Sequence, residues 1–164
     1  MASVVPLNMH PYMKVFLMPD ADNTSHQRFF SLEDATLLLQ ELSGKVEDAQ
    51  HEIHTLHSHL ILQKRLVVQR EKALGRYPSE EELMLIAKSG LKLESCIEYW
   101  VTYFERQGVL LRDPKMGLID FPYKSETTDE VFFLSWCLED EGLFYFHTAD
   151  EPPHYRHPIS LLPA

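Results

Sequence analysis

The sequence is short of the residues that most often declare a function. It has two cysteines, Cys96 and Cys137, and neither sits in a CxxC pair. That excludes a zinc ribbon and a thioredoxin-like motif. Two such thiols fit a reducing compartment, so the expected location is cytoplasmic. Basic charge is also scarce: 15 Lys and Arg stand against 25 Asp and Glu, a formal net charge of −10. A chain with that balance repels a phosphate backbone. Its densest basic stretch, Lys64, Arg65, Arg70, Lys72 and Arg76, reads as a solvated helix end where cations offset the dipole. Nucleic acid is therefore not an expected partner. Long apolar runs are missing as well. The longest in the C-terminal half, Val131 to Leu138, contains Ser135 and is far too short to span a membrane as a helix. Pro6 and Pro11 interrupt the N-terminus, where no charged region leads into an apolar one, so no secretory signal is expected. There is no internal repeat. Ser135 and Cys137 lie in no nucleophile motif such as GxSxG, and Cys137 reads as a small buried hydrophobe.

What is present is an ordinary globular balance, 45% hydrophobic and 24% charged over 164 residues, enough for one domain with an extension. Residues 1–28, with Pro6, Pro11 and Pro19, read as a partly disordered N-terminal arm; Met13 to Met18 could pair as an edge strand, and either Met1 or Met13 fits the start of translation. Residues 29–164 read as a single α+β domain. A first helix is expected over 32–74. Ser31 caps it, Asp34 completes a variant capping box, and Phe30 takes the staple position. Leu32, Ala35, Leu39, Leu42, Val46, Ala49, Ile53, Leu56 and Leu60 then alternate spacings of three and four, the signature of a seam packed on another helix. Gln63 interrupts the seam, and Val67 and Leu74 resume it before Gly75 and Pro78 stop the helix. A second helix is expected over 80–107, capped by Ser79 with Glu82, its seam running Leu83, Ile86, Gly90, Leu93, Ile97, Trp100 and Phe104. The short turn between them predicts a long antiparallel, coiled-coil-like helical hairpin. The first helix is the longer, so residues 32–46 overhang the second, and a sheet should pack at that end. Gly44 is the expected bend.

The remainder predicts a small antiparallel sheet over about 109–148. Val109-Leu110-Leu111 is short, Gly117 to Pro122 is extended, and Val131 to Leu138 pairs with Leu143 to His147 around an acidic turn. Phe133 falls on one face of the sheet and Phe132, Leu134 and Trp136 on the other. Residues 149–164, with Pro152, Pro153 and Pro158, read as a coil tail.

Two groups of residues invite chemistry. Glu47, His51 and His54 have helical spacing that could hold a metal, but they lie outside the seam on the solvent side of the first helix. In the sheet, Asp120, Asp140, His147 and Arg156 are the candidates to converge, with Trp136 beside them. An Asp and a His can form an acid–base pair or ligate a divalent metal, for which His147 and Asp140 are the candidates; Arg156 can grip an anion through two N–H groups. The structural alternative is that Asp120 caps a turn or pairs with Arg156, and His147 satisfies backbone groups at a strand end.

Gly117-Leu118-Ile119-Asp120-Phe121-Pro122, followed by Trp136, an acidic turn, Tyr145-Phe146-His147, Arg156 and Pro158, resembles the bacterial family named Domain of Unknown Function 2203. Its aromatic-Ser/Thr-Leu-Glu-x-Ala opening is matched by Phe30-Ser31-Leu32-Glu33-Asp34-Ala35. The resemblance covers about residues 29–160. It departs at Ser135, where the family often has Cys, and at Glu139-Asp140, where it tends to have Gly-Glu. It implies a fold and a set of residues to watch, and no activity. The expectation from the residues is a non-enzymatic interaction or assembly protein, forming a homodimer because side residues such as Leu38, Ile61, Val68, Leu85, Cys96 and Val101 widen the apolar stripe beyond one seam. The alternative is a metal- or small-ligand-binding protein, hydrolytic in chemistry, using Asp120, Asp140, His147 and Arg156.

Overall fold

The computed structural model describes residues 27–164. The expected N-terminal arm, including Met13 to Met18, lies outside the described residues apart from Gln27 and Arg28. The chain is α+β: among the described residues, two helices precede a five-stranded antiparallel sheet. Helix α1 covers Leu32–Leu74 and α2 covers Glu80–Arg106. Their ends follow from their caps. The Ser31 side chain accepts the Asp34 N–H at 3.0 Å, and Gly75, at φ 61°, closes α1 with its N–H on the Glu71 carbonyl. At the start of α2, Ser79 and Glu82 satisfy each other's backbone N–H groups in a complete capping box. Three glutamates in that first turn face the positive end of the helix dipole. The second helix stops one residue short of the expected 107, with Gln107 as its cap. Helix α1 runs unbroken through Gly44.

The lower part of the expected seam is core. Ala35, Leu39, Leu42, Val46, Ala49, Ile53 and Leu60 of α1 are buried, as are Leu93, Ile97, Trp100 and Phe104 of α2, whereas Leu56 is half-buried and Leu32, at the start of the seam, is exposed; Cys96, expected beside the seam, is buried with it. The upper part is not. Val67, Ile86 and Gly90 are only half-buried, and Leu74 and Leu83 are exposed at 60% and 52%. Polar contacts tie the two helices at two levels: Trp100 Nε1 donates to Glu52 at 2.9 Å, and Arg70 pairs with Glu82.

The strands are β1 (Leu110–Asp113), β2 (Leu118–Lys124), β3 (Val131–Trp136), β4 (Tyr145–Thr148) and β5 (His157–Pro158), each hydrogen-bonded to the next. The hairpin of β3 and β4 is shorter than the sequence pattern suggests, because Cys137 to Phe144 belongs to the turn. The tail is not all coil: it returns to pair His157 with Phe146, adds β5, and continues into a 3-10 turn at Ile159–Leu161. The turn between β1 and β2 is built by Asp113, whose Oδ1 accepts the N–H groups of Lys115 and Met116, and by Gly117 at φ 62°. A Cβ on Gly117 would come within 2.6 Å of Leu138, so glycine is required there for space as well as for backbone conformation.

Side-chain alternation divides the sheet. Leu111, Ile119, Phe121, Phe132, Leu134, Trp136 and Phe146 join the helix residues in one hydrophobic cluster. Phe30 enters it edge-on to Phe121, with ring centres 5.5 Å apart, and its N–H bonds the Pro122 carbonyl. The other face carries Arg112, Asp120, Phe133, Ser135, Tyr145 and His147. No described helix is long and apolar enough to cross a membrane. Phe104, fully buried among Trp100, Tyr103 and the sheet-side cluster, anchors α2 to the core. Phe104→Ala should therefore lower the unfolding free energy by about 3–5 kcal/mol in a denaturant titration.

Candidate functional site

The polar face of the sheet is organised by Asp120. It sits mid-strand in β2 with no solvent exposure. Its Oδ2 accepts from Arg112 Nε at 2.8 Å and from His147 Nε2 at 2.7 Å. Arg112 stands where the register of β1 shifts between Leu111 and Asp113, a local bulge. His147 is 2% exposed, and its Nδ1 lies 2.8 Å from the Thr148 carbonyl. Both ring nitrogens therefore face acceptors. A neutral imidazole carries one N–H, so the protonated ring suits this position best. Burial pulls its pKa down, but the hydrogen bond and charge of Asp120 outweigh burial and raise it above the ordinary value. Phe133 completes the group. It stacks on His147 at 5.3 Å between ring centres and lies 4.8 Å beneath the Arg112 guanidinium.

A second, separate ion pair closes the turn after β3. Arg156 grips Asp140 with Nη1 on Oδ2 at 2.5 Å and Nη2 on Oδ1 at 3.2 Å. The same Oδ2 accepts the Cys137 N–H at 2.9 Å, and the Asp140 carbonyl accepts Trp136 Nε1 at 3.2 Å. Burial works to raise the Asp140 pKa, but the Arg156 and Cys137 hydrogen bonds overcome it and hold it low. Arg156 also lies 4.5 Å over the Tyr145 ring. Burial pushes the Cys137 thiol upward, away from the reactive thiolate. In the tail, Glu151 takes the Thr148 N–H at 3.0 Å and His157 at 2.8 Å, which hold its pKa down to about 2.

The five sheet residues thus form two assemblies, Asp120 with His147 and Asp140 with Arg156 and Trp136. Asp120 pairs with Arg112 and His147 rather than with Arg156. His147 and Asp140, the candidate metal pair, are each engaged with a different partner. Glu47, His51 and His54 line an exposed face of α1, where His54 lies 3.4 Å from the Ser58 hydroxyl. Among the described residues no three His, Cys, Asp or Glu side chains converge to hold a metal ion. Arg112 was not among the sequence candidates. Its position two residues after Leu110 was a signal, since it put a cation on the same strand face, but the strand was expected to end at Leu111.

The model of the family described as "Uncharacterized conserved protein (DUF2203)" matches residues 28–159. The chain belongs to that family. The match takes in both helices, all five strands and each residue of the two assemblies. No curated protein and no solved structure matches the chain.

Two outcomes follow from the geometry. The raised pKa of His147 contributes stability that is complete below its unfolded value near 6.5 and is lost as pH rises through its folded value. The unfolding free energy of the protein should therefore fall relative to that of His147→Gln as pH increases above about 6.5. Ser135 stands directly across from Asp120, and its buried hydroxyl has no hydrogen-bond partner; the same is true of Asp120 Oδ1. A buried hydroxyl without a partner costs about 1–3 kcal/mol. Ser135→Ala should leave the melting temperature unchanged or raise it, whereas a hydroxyl that held part of the fold would lower it on removal.

Proposed function

We propose that this chain is a non-enzymatic assembly protein that self-associates through a helical hairpin, with the sheet as its closed structural base. The observation that carries this reading is that none of the residues from Ile61 to Lys92 is buried. That stretch holds Ile61, Leu62, Leu66, Val68, Leu74, Leu83, Met84, Leu85 and Leu91, each more than 40% exposed. The contacts of Glu52 with Trp100 and of Arg70 with Glu82 share one antiparallel register. Carried to the end of α2, that register sets Arg106 level with Val46, so α1 overhangs α2 on the sheet side, where Ala35, Leu39 and Leu42 are buried. On this reading the hairpin leaves the sheet at about Leu60 and continues as a bare arm. Two helices give one mutual seam, and apolar residues outside it call for another wall.

The polar groups of the sheet favour a structural role over the ligand-binding alternative. Each candidate base or ligand is consumed by an intramolecular partner at hydrogen-bond distance, and the shared burial leaves Asp120 and His147 essentially without exposure. Light scattering at micromolar concentration should give a mass of two chains, against 19.1 kDa for one. A mass of one chain overturns the reading.

A further inference from the structure

We infer that the partner of the arm is a second copy of this chain lying antiparallel along the outer side of α1, with the two-fold axis between Leu56 and His57. The inference rests on the reading of the chain as self-associating and fixes the geometry of that association. The buried seam of α1 includes Val46, Ile53 and Leu60, one every seventh residue. Two positions after each, about 200° around the helix, come Asp48, Thr55 and Leu62, all exposed. This outer stripe is turned away from α2. Leu62 and Leu66 on it are 51% and 48% exposed, and neither the seam nor the sheet covers them.

Charge is segregated along the same helix. Glu33, Asp34, Glu41, Glu47, Asp48 and Glu52 fill its first half, interrupted only by Lys45. Lys64, Arg65, Arg70 and Lys72 fill its last third, interrupted only by Glu71. Between Ile53 and Gln63 there is no Asp, Glu, Lys or Arg. A parallel copy would set like charge against like. An antiparallel copy sets opposite charges together twice, as a closed two-fold contact requires. With the axis between positions 56 and 57, Arg65 meets Asp48 of the second copy, Lys72 meets its Glu41, and Thr55 meets its Ser58. The short side chains nearest the axis let the two helices approach closely, while Leu62 packs beside them. Glu41, Arg65 and Lys72 make no ion pair among the described residues, and Asp48 has only a solvent-exposed one to Lys45 at 3.7 Å. Such a pair is weak, so the carboxylate remains available to a better partner.

Cysteine cross-linking of the full-length chain tests the arrangement. His51 and Leu62 are both exposed and oppose one another across the proposed contact. On mild oxidation, a mixture of H51C and L62C should give a disulfide-linked band at twice 19.1 kDa, and neither variant alone should do so. In addition, R65E should weaken association by about tenfold, and R65E/D48R in one chain should restore it, because only an antiparallel pair sets position 65 against position 48. If the native mass is two chains but each cysteine variant links to itself, or the mixture does not link, the antiparallel arrangement is overturned while self-association stands. A native mass of one chain overturns both.

Discussion

The polar half of this structure depends on one carboxylate oxygen. Asp120 Oδ2 takes donors from Arg112 on β1 and His147 on β4, so a single atom in β2 joins three strands of the sheet. The need for it comes from the layering. Among the described residues, helices cover one face of the sheet only, and the other face buries Asp120, Ser135 and His147 at no more than 2% exposure. Buried charge is tolerated where it is paired and hydrogen-bonded, and here a cation lies on each side of the anion, with Phe133 filling the space between them. Removing the carboxylate would take away the group that holds His147 protonated and leave the Arg112 guanidinium without its anion. A bulge in β1 lies at the same place, between Leu111 and Asp113, where Arg112 reaches Oδ2.

The Asp140–Arg156 pair does for the chain path what Asp120 does for the strands. Asp140 fixes the turn after β3 by accepting the Cys137 N–H, and its hold on Arg156 brings the returning tail to the edge where His157 pairs with Phe146. A fifth strand of only two residues has little pairing of its own. It is held at both sides, by the side-chain pair of Arg156 with Asp140 before it and by the backbone bond from the Ile159 N–H to the Phe144 carbonyl after it. The two assemblies therefore have distinct tasks, and their members read as one site in the sequence because Asp140 and Arg156 lie outside the strands, where alternation does not place them.

Much of the helical architecture was legible because its signals are local. Ser31, Gly75 and Ser79 are caps whose chemistry acts within one turn, and the helix bounds fell where they put them. The strand faces were legible from alternation, as Phe133 against Phe132, Leu134 and Trp136 illustrates. Three things were not. The bulge between Leu111 and Asp113 is a register shift between strands, which no local pattern in Leu110 to Asp113 encodes. The return of His157 to β4 depends on a partner strand eleven residues earlier. The heptad spacing of Val67, Leu74 and Leu83 was read as seam, yet these residues are not buried, because spacing says which residues share a face and not whether anything lies against it.

That last difference bears most on what the molecule does. Near the sheet, α1 meets both α2 and the strands, and its seam from Ala35 to Leu60 is covered apart from the half-buried Leu56, although Leu32 and Leu37 stay exposed. Past Leu60 the same spacing continues without the cover, and apolar residues spread around both helices instead of narrowing to one stripe. A solvated two-helix arm needing only its own seam would carry polar residues at Leu62, Leu66, Met84 and Leu91, since exposed apolar surface on that scale marks an interaction site or an aggregation liability. The charges on α1 choose between those two outcomes. A liability would be indifferent to their order. A specific two-fold contact, as inferred above, uses an acidic half, an uncharged middle and a basic end to exclude the parallel pairing and every register that sets like against like. On that inference, the order of charge along one helix is what would turn a sticky arm into a defined dimer, and the sheet would hold the base of that arm in a fixed direction.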